Sequence, residues 1–192
     1  MSEIKKQRIQ TQNIVRAAML LAVVIVIQIA GRSIPQVNQF FVGPIVNAVL
    51  IITVYTCSTK WGTITAVLTP ILAYLVGQLL PPMAPFIPFI MLGNLVYVLI
   101  FGLLKNNKYG LYVGILLSSF VKYLVLSFSA TQLIYWFNIG LPDKIAKKLA
   151  QMMGLTQFIT GIIGGILALA FIFILSKRKG IKKLNDEKKN TN

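Results

Sequence analysis

The sequence predicts an all-α integral membrane protein, a compact bundle of six transmembrane helices with both termini in the cytoplasm. Hydrophobic residues make up 56% of its 192 residues and charged residues only 12%, about half the charged share of a soluble domain. The apolar residues fall into six long stretches, and about 20 apolar residues suffice to cross a bilayer. A soluble fold has no place for six such stretches.

Prolines, glycines and charged turns separate the six predicted helices. The helices cover about residues 13–30, 40–57, 61–80, 86–104, 109–130 and 156–176. Spans of about 18 to 22 residues match a hydrocarbon core of ~30 Å. A dense run of prolines from Pro81 to Pro88 predicts a stiff loop. Residues 1–176 are therefore predicted to form one domain, and the basic tail, residues 177–192, is predicted to be disordered.

The distribution of Lys and Arg sets the predicted orientation, because cytoplasmic loops carry an excess of both. With the N-terminus inside, 14 basic residues fall on the cytoplasmic side, 4 fall outside, and Lys122 lies within the membrane. The net charge of +15 also invites a nucleic-acid interpretation. Because the charge lies in tails and short turns rather than on a folded basic face, the sequence predicts a lipid bilayer and no nucleic acid as partner.

A short amphipathic helix is predicted on the outer surface, between the fifth and sixth spans. Asp143 follows Pro142 and is a suitable first residue for it. Its basic and apolar faces are formed by Lys144, Lys147 and Lys148 and by Ile145, Leu149 and Met152. Such a pattern is typical of a helix lying at a membrane surface. A structured loop without a special role is the alternative.

Lys122 is the sharpest candidate for a functional residue, because a charge near the membrane centre costs at least a few kcal/mol. Gly110, Gly114 and Ser118 precede it at four-residue spacing, which marks a face packed against other helices. We therefore expect Lys122 to point into the bundle. The four acids of the chain lie outside the apolar stretches, so an anionic or electron-rich ligand would supply its missing partner. Snorkelling or bonds to backbone carbonyls are the alternatives.

Further polar side chains gather at a similar depth and predict a pocket that is entered from outside. They are Asn47, Asn94, Thr160, Gln157, Gln78 and Gln28. An aromatic wall is expected from Tyr123, Phe128, Tyr135, Trp136 and Phe137. The alternative is that single Asn and Thr side chains bond helix to helix, each contributing about 1 kcal/mol.

The residue types that are missing argue against an enzyme. The chain has no His, its one cysteine, Cys57, has no evident base beside it, and no acid lies in the apolar stretches. Acid–base catalysis and metal sites built on His or carboxylates are therefore not predicted, and no cofactor is expected. No GxxxxGK[ST] phosphate loop is present, so energy for uphill transport would come from a partner.

Small residues form a smooth patch on the first predicted helix. Ala18 and Ala22 lie four residues apart, next to Ala17. Close packing within the bundle is one interpretation, and a docking surface for another membrane protein is the other.

The membrane portion resembles the substrate-binding (S) components of energy-coupling factor (ECF) transporters. The resemblance lies in six helices within fewer than 200 residues, an alanine-spaced first helix at residues 16–22 (RAAMLLA), and motifs that open the next three helices. These motifs are GPIVN at 43–47, KWG at 60–62 and PFIMLGN at 88–94.

This resemblance implies a subunit of a prokaryotic cell membrane that binds a water-soluble vitamin from outside with high affinity. It also implies docking on a membrane scaffold (T) subunit through Ala18 and Ala22, transport driven by two cytoplasmic ATPases, and toppling within the membrane. The loop after the first helix would act as a lid, with Arg32, Gln36 and Asn38 as its polar residues.

The substrate stays open at this level. Lys122 favours an anion such as pantothenate, folate or niacin, although the ring carbonyls of riboflavin would also accept a hydrogen bond from a lysine. Two other classes of protein remain as alternatives: a small structural or assembly subunit of a membrane complex without a ligand, and a membrane enzyme.

Overall fold

The computed structural model describes residues 2–33, 38–136 and 142–190, and within them the regular structure is entirely helical. Six long helices form the bundle: α1 Ser2–Arg32, α2 Asn38–Thr56, α3 Thr59–Leu75, α4 Ile87–Leu104, α5 Gly110–Phe128 and α7 Leu155–Asn190. A shorter helix, α6 Asp143–Met153, lies between α5 and α7. The predicted all-α membrane bundle is confirmed, while its orientation stays a prediction.

Four helical stretches of the described chain are long and apolar enough to cross a membrane. They are Glu3–Arg32, Pro81–Leu104, Gly110–Leu133 and Asp143–Lys177. The apolar stretch Phe40–Thr56 and α3 are shorter, with 17 residues each. At 1.5 Å per residue they rise about 25 Å, a few Å less than the hydrocarbon core.

The third helix ends earlier than the sequence predicts. α3 stops at Leu75 rather than near residue 80, because the chain turns at Gly77, whose φ of 74° suits glycine. The proline-rich segment that follows is a 3₁₀ helix, Pro81–Phe86. Pro88 then occupies the first turn of α4, where a missing N–H costs nothing. The predicted stiff loop is thus a compact helical turn.

Three other helix ends also differ from the sequence boundaries. α1 begins at Ser2, well before residue 13. α5 is continued by a π-helical turn, Ser129–Leu133, and by Ile134–Trp136. α7 runs to Asn190, across residues for which the sequence predicts disorder. No proline interrupts residues 177–190, and their Lys, Leu and Glu residues favour helix.

The amphipathic helix predicted from Asp143 is present as α6 and packs by its apolar face. Leu149 is fully buried in a cluster with Met83, Phe86 and Leu126, whereas all three of its lysines are exposed. α6 therefore covers the end of the bundle at which α1 and α3 end and α4 and α7 begin. A second, larger core around Leu50, Tyr97, Phe101, Ile115 and Ile172 fills the rest of the bundle.

Candidate functional site

A cavity of about 570 Å³ lies beneath α6, and each of the helices α1 to α7 contributes to its wall. One lining residue from each helix in chain order is Gln28, Asn47, Thr69, Asn94, Lys122, Gln151 and Gln157. Small-molecule sites commonly enclose about 300–1,000 Å³. The cavity therefore has the size of a site for a small molecule, and its lining combines apolar side chains with several amide groups.

Lys122 lies in the wall of this cavity and is only 3% exposed. Its Nζ donates to Asn47 Oδ1 at 2.6 Å and to Asn94 Oδ1 at 2.8 Å, and it lies 5.1 Å from the centre of the Tyr97 ring. Lysine and asparagines together form a triad (Lys122, Asn47, Asn94) that joins α5, α2 and α4. Amide oxygens and an aromatic face both favour a buried ammonium group.

The triad confirms that Lys122 points into the bundle. It corrects the expectation that a ligand supplies the missing partner of this lysine. A ligand is not needed as its first partner, because two neutral side-chain oxygens already accept its hydrogen bonds. The lysine neither snorkels to the interface nor depends on backbone carbonyls, as the alternatives proposed. Asn47 and Asn94 are the partners, and the sequence had indicated them only as polar residues of similar depth.

A proline in α3 orients Asn94. Pro70 lacks an N–H, so the carbonyl of Ala66, four residues earlier, is not used by the helix ladder at that point. Asn94 Nδ2 donates to this carbonyl at 3.4 Å. Because the amide nitrogen is bound there, the amide oxygen faces Lys122.

A close approach of α2 and α7 positions Asn47. A Cβ at Gly164 would lie 2.5 Å from the Pro44 carbonyl oxygen and 2.6 Å from Asn47 Cβ, so only glycine permits this contact. The Tyr97 hydroxyl donates to the Gly161 carbonyl at 3.0 Å, which ties α4 to α7 and holds the ring beside the amine. Backbone contacts on three helices thus fix the triad.

Replacing Pro70 with alanine is expected to weaken ligand binding by roughly 2- to 10-fold, the equivalent of one ordinary hydrogen bond. The new N–H would bond to the Ala66 carbonyl and compete with Asn94 Nδ2. The same change should raise the melting temperature, because a proline inside a helix is destabilising. Calorimetric titration and thermal unfolding check the two effects; affinity and stability that fall together would contradict this role.

Five of the predicted polar residues line the cavity together with Lys122: Gln28, Asn47, Asn94, Gln78 and Gln157. Thr160 is fully buried but lies behind the wall, 3.2 Å from the position of a Cβ on Gly43. Its hydroxyl donates to the Gln157 carbonyl at 3.3 Å. Most side chains of the predicted outer polar layer therefore line one cavity.

Tyr123 and the predicted aromatic wall are placed elsewhere. Tyr123 does not line the cavity, and its ring lies 6.3 Å from the rings of both Phe120 and Phe158. Phe128 and Trp136 pack edge to face and are 48% and 71% exposed. A residue next to Lys122 is rotated by about 100° around the helix, so it faces away from the cavity. Phe137 and the side chain of Tyr135 lie outside the described residues.

The predicted lid is described only at its beginning. Arg32 lines the cavity, and its Nη1 donates to the Val76 carbonyl at 3.3 Å. Gln36 lies outside the described residues, as does the side chain of Asn38, the first residue of α2. Sequence reasoning missed the contributions of Met83, Gln151 and Ile90 to the wall. The amphipathic pattern of α6 was the one signal for Gln151.

Ala18 and Ala22 lie on the outer surface of α1, and both are exposed. Ala17 is 6% exposed and faces the bundle, which corrects its predicted place in the same patch. Residues one position apart on a helix point in directions about 100° apart, so the three alanines cannot share one face.

One family model, that of the ECF transporter substrate-specific component, matches residues 12–176. The chain belongs to this family. The matched region contains every residue of the cavity wall and of the triad. No curated protein and no solved structure matches the chain. As an S component, the protein is a substrate-binding subunit of a membrane transporter that associates with scaffold and ATPase subunits, and its family is not a family of enzymes.

Proposed function

We propose that this S component captures a water-soluble vitamin with an anionic or strongly electron-rich group and delivers it into the cell. The observation that carries the proposal is the Lys122 amine in the cavity wall, held by two amides that bring no negative charge. A group with oxygen or aromatic nitrogen acceptors would bind there in place of water.

The charges around the cavity support an anion. Its described lining residues include Lys122, Arg32 and Lys148 but no Asp or Glu. A cleft lined by one sign of charge raises the local concentration of the opposite sign. Pantothenate, folate and nicotinate are anions at neutral pH and suit such a cavity; riboflavin would bind through its ring carbonyls.

The distribution of positive charge supports capture from the outside of a prokaryotic cell membrane. The cavity lies near the ends of α1 and α3 and the start of α7. These ends are outside when the more basic set of loops and tails is placed in the cytoplasm. Docking on a scaffold subunit at Ala18 and Ala22, with two cytoplasmic ATPases, would then drive release of the vitamin inside.

Mass spectrometry of the small molecules released from purified, detergent-solubilised protein tests this proposal. We expect one vitamin of this chemical class in about equimolar amount, because a ligand that binds with high affinity dissociates slowly. Thermal unfolding with added pantothenate, folate, nicotinate and riboflavin is the companion measurement. Samples that hold no small molecule and that none of the four vitamins stabilises would contradict this class of substrate.

A further inference from the structure

Gln28 is a buried amide of the cavity wall that is only half satisfied. It is 2% exposed and lines the cavity from α1. Its Nε2 donates to the Thr69 carbonyl at 3.3 Å. Its Oε1 is buried and has no hydrogen-bond partner among the described residues.

The neighbouring carbonyl fixes which end of this amide is free. The Thr69 oxygen can only accept a hydrogen bond, so the NH₂ group of Gln28 must face it. The reversed amide would place two oxygens together and leave the NH₂ group without this acceptor. The group without a partner among the described residues is therefore an acceptor, and a buried acceptor without a donor is costly.

The two asparagines of the triad do not offer this acceptor. The side-chain oxygens of Asn47 and Asn94 already accept hydrogen bonds from Lys122. The wall thus combines positive charge at Lys122 with a buried acceptor at Gln28 that has no partner among the described residues. A ligand that satisfies both must combine an acceptor with a donor.

We propose that Gln28 Oε1 accepts a hydrogen bond from an N–H or O–H group of the bound substrate, and so selects vitamins that carry such a donor. This inference rests on the proposed capture function and narrows its substrate class. Pantothenate offers hydroxyl and amide donors, and folate and riboflavin offer ring or amide N–H groups. Nicotinate at neutral pH carries neither an N–H nor an O–H group, so the cavity should discriminate against it.

The test is calorimetric titration of the full-length protein with pantothenate, folate, riboflavin and nicotinate. We expect the tightest of the four to carry a donor and nicotinate to bind at least about 10-fold more weakly, because an acceptor left without a donor is costly. Gln28→Met keeps the length of the side chain without the acceptor. It should weaken the donor-bearing vitamin by about 5- to 150-fold and leave nicotinate unchanged.

Gln12→Met is the matched control, because Gln12 is exposed on the same helix and does not line the cavity; it should bind like the wild type. The ranking of the four vitamins uses wild-type protein alone and therefore holds even if Gln28→Met does not fold. Tightest binding of nicotinate, or equal affinity of wild type and Gln28→Met for a donor-bearing vitamin, would overturn the inference and leave the capture function standing. Failure of all four to bind wild-type protein would overturn both.

Discussion

Replacing Lys122 with methionine is expected to weaken vitamin binding by roughly 1–3 kcal/mol, or about 5- to 150-fold. Methionine fills a similar volume without the ammonium group. The change removes the positive charge from the wall and leaves Asn47 Oδ1 and Asn94 Oδ1 without their donor. Both amides would then compete with the vitamin for new partners. The measurement is calorimetric titration with the vitamin that co-purifies with the wild type.

Lys60→Met is the control for this substitution, because Lys60 is exposed on α3 and lies outside the cavity wall. The same loss of charge there should leave affinity unchanged. Melting temperatures without vitamin separate a loss of binding from a loss of folding. If Lys122→Met bound the vitamin as tightly as the wild type, the binding site would have to lie outside this cavity.

Tryptophan at both Ala18 and Ala22 is expected to reduce vitamin uptake to background while vitamin binding stays intact. Both side chains are exposed on α1, and small residues four apart let a second helix approach closely. Two indole rings would hold a scaffold helix away from this surface. They would not reach the cavity, which α1 lines nearer its C-terminal end, at Gln28 and Arg32.

Uptake of radiolabelled vitamin by cells that hold the complete transporter measures the first effect, and titration of purified protein measures the second. Ala170→Trp provides a matched control, because Ala170 is an exposed alanine on α7. Its uptake should equal that of the wild type. Loss of vitamin binding in the double variant would show that Ala18 and Ala22 serve packing within the subunit rather than docking.

The sequence predicted where Lys122 and the polar layer lie, because these positions depend only on the depth of each residue in the membrane. A charged side chain within an apolar stretch must point into the bundle. The number of residues between Asn47, Asn94 or Gln157 and the end of its helix sets the depth of that side chain in the membrane. The sequence also predicted the amphipathic helix α6, because its lysines and its apolar residues lie on different faces at a period of 3.6 residues.

The parts that the sequence did not reveal depend on rotation and on contacts between distant segments. Tyr123 has the same depth as Lys122 but faces Phe120 and Phe158. The sequence indicates only that Pro70 disturbs a helix. The packing of α3 against α4 shows that the Ala66 carbonyl, which has no N–H donor at Pro70, orients Asn94. These facts require the relative rotation of whole helices, which local patterns do not encode.

The charge of the cavity wall also decides which molecules the protein rejects. Its described lining residues include three basic side chains, Lys122, Arg32 and Lys148, and no carboxylate. A cationic compound would leave water there without gaining an ion pair, and burying an unpaired charge is costly. Positively charged nutrients of similar size should therefore be poor competitors for the vitamin.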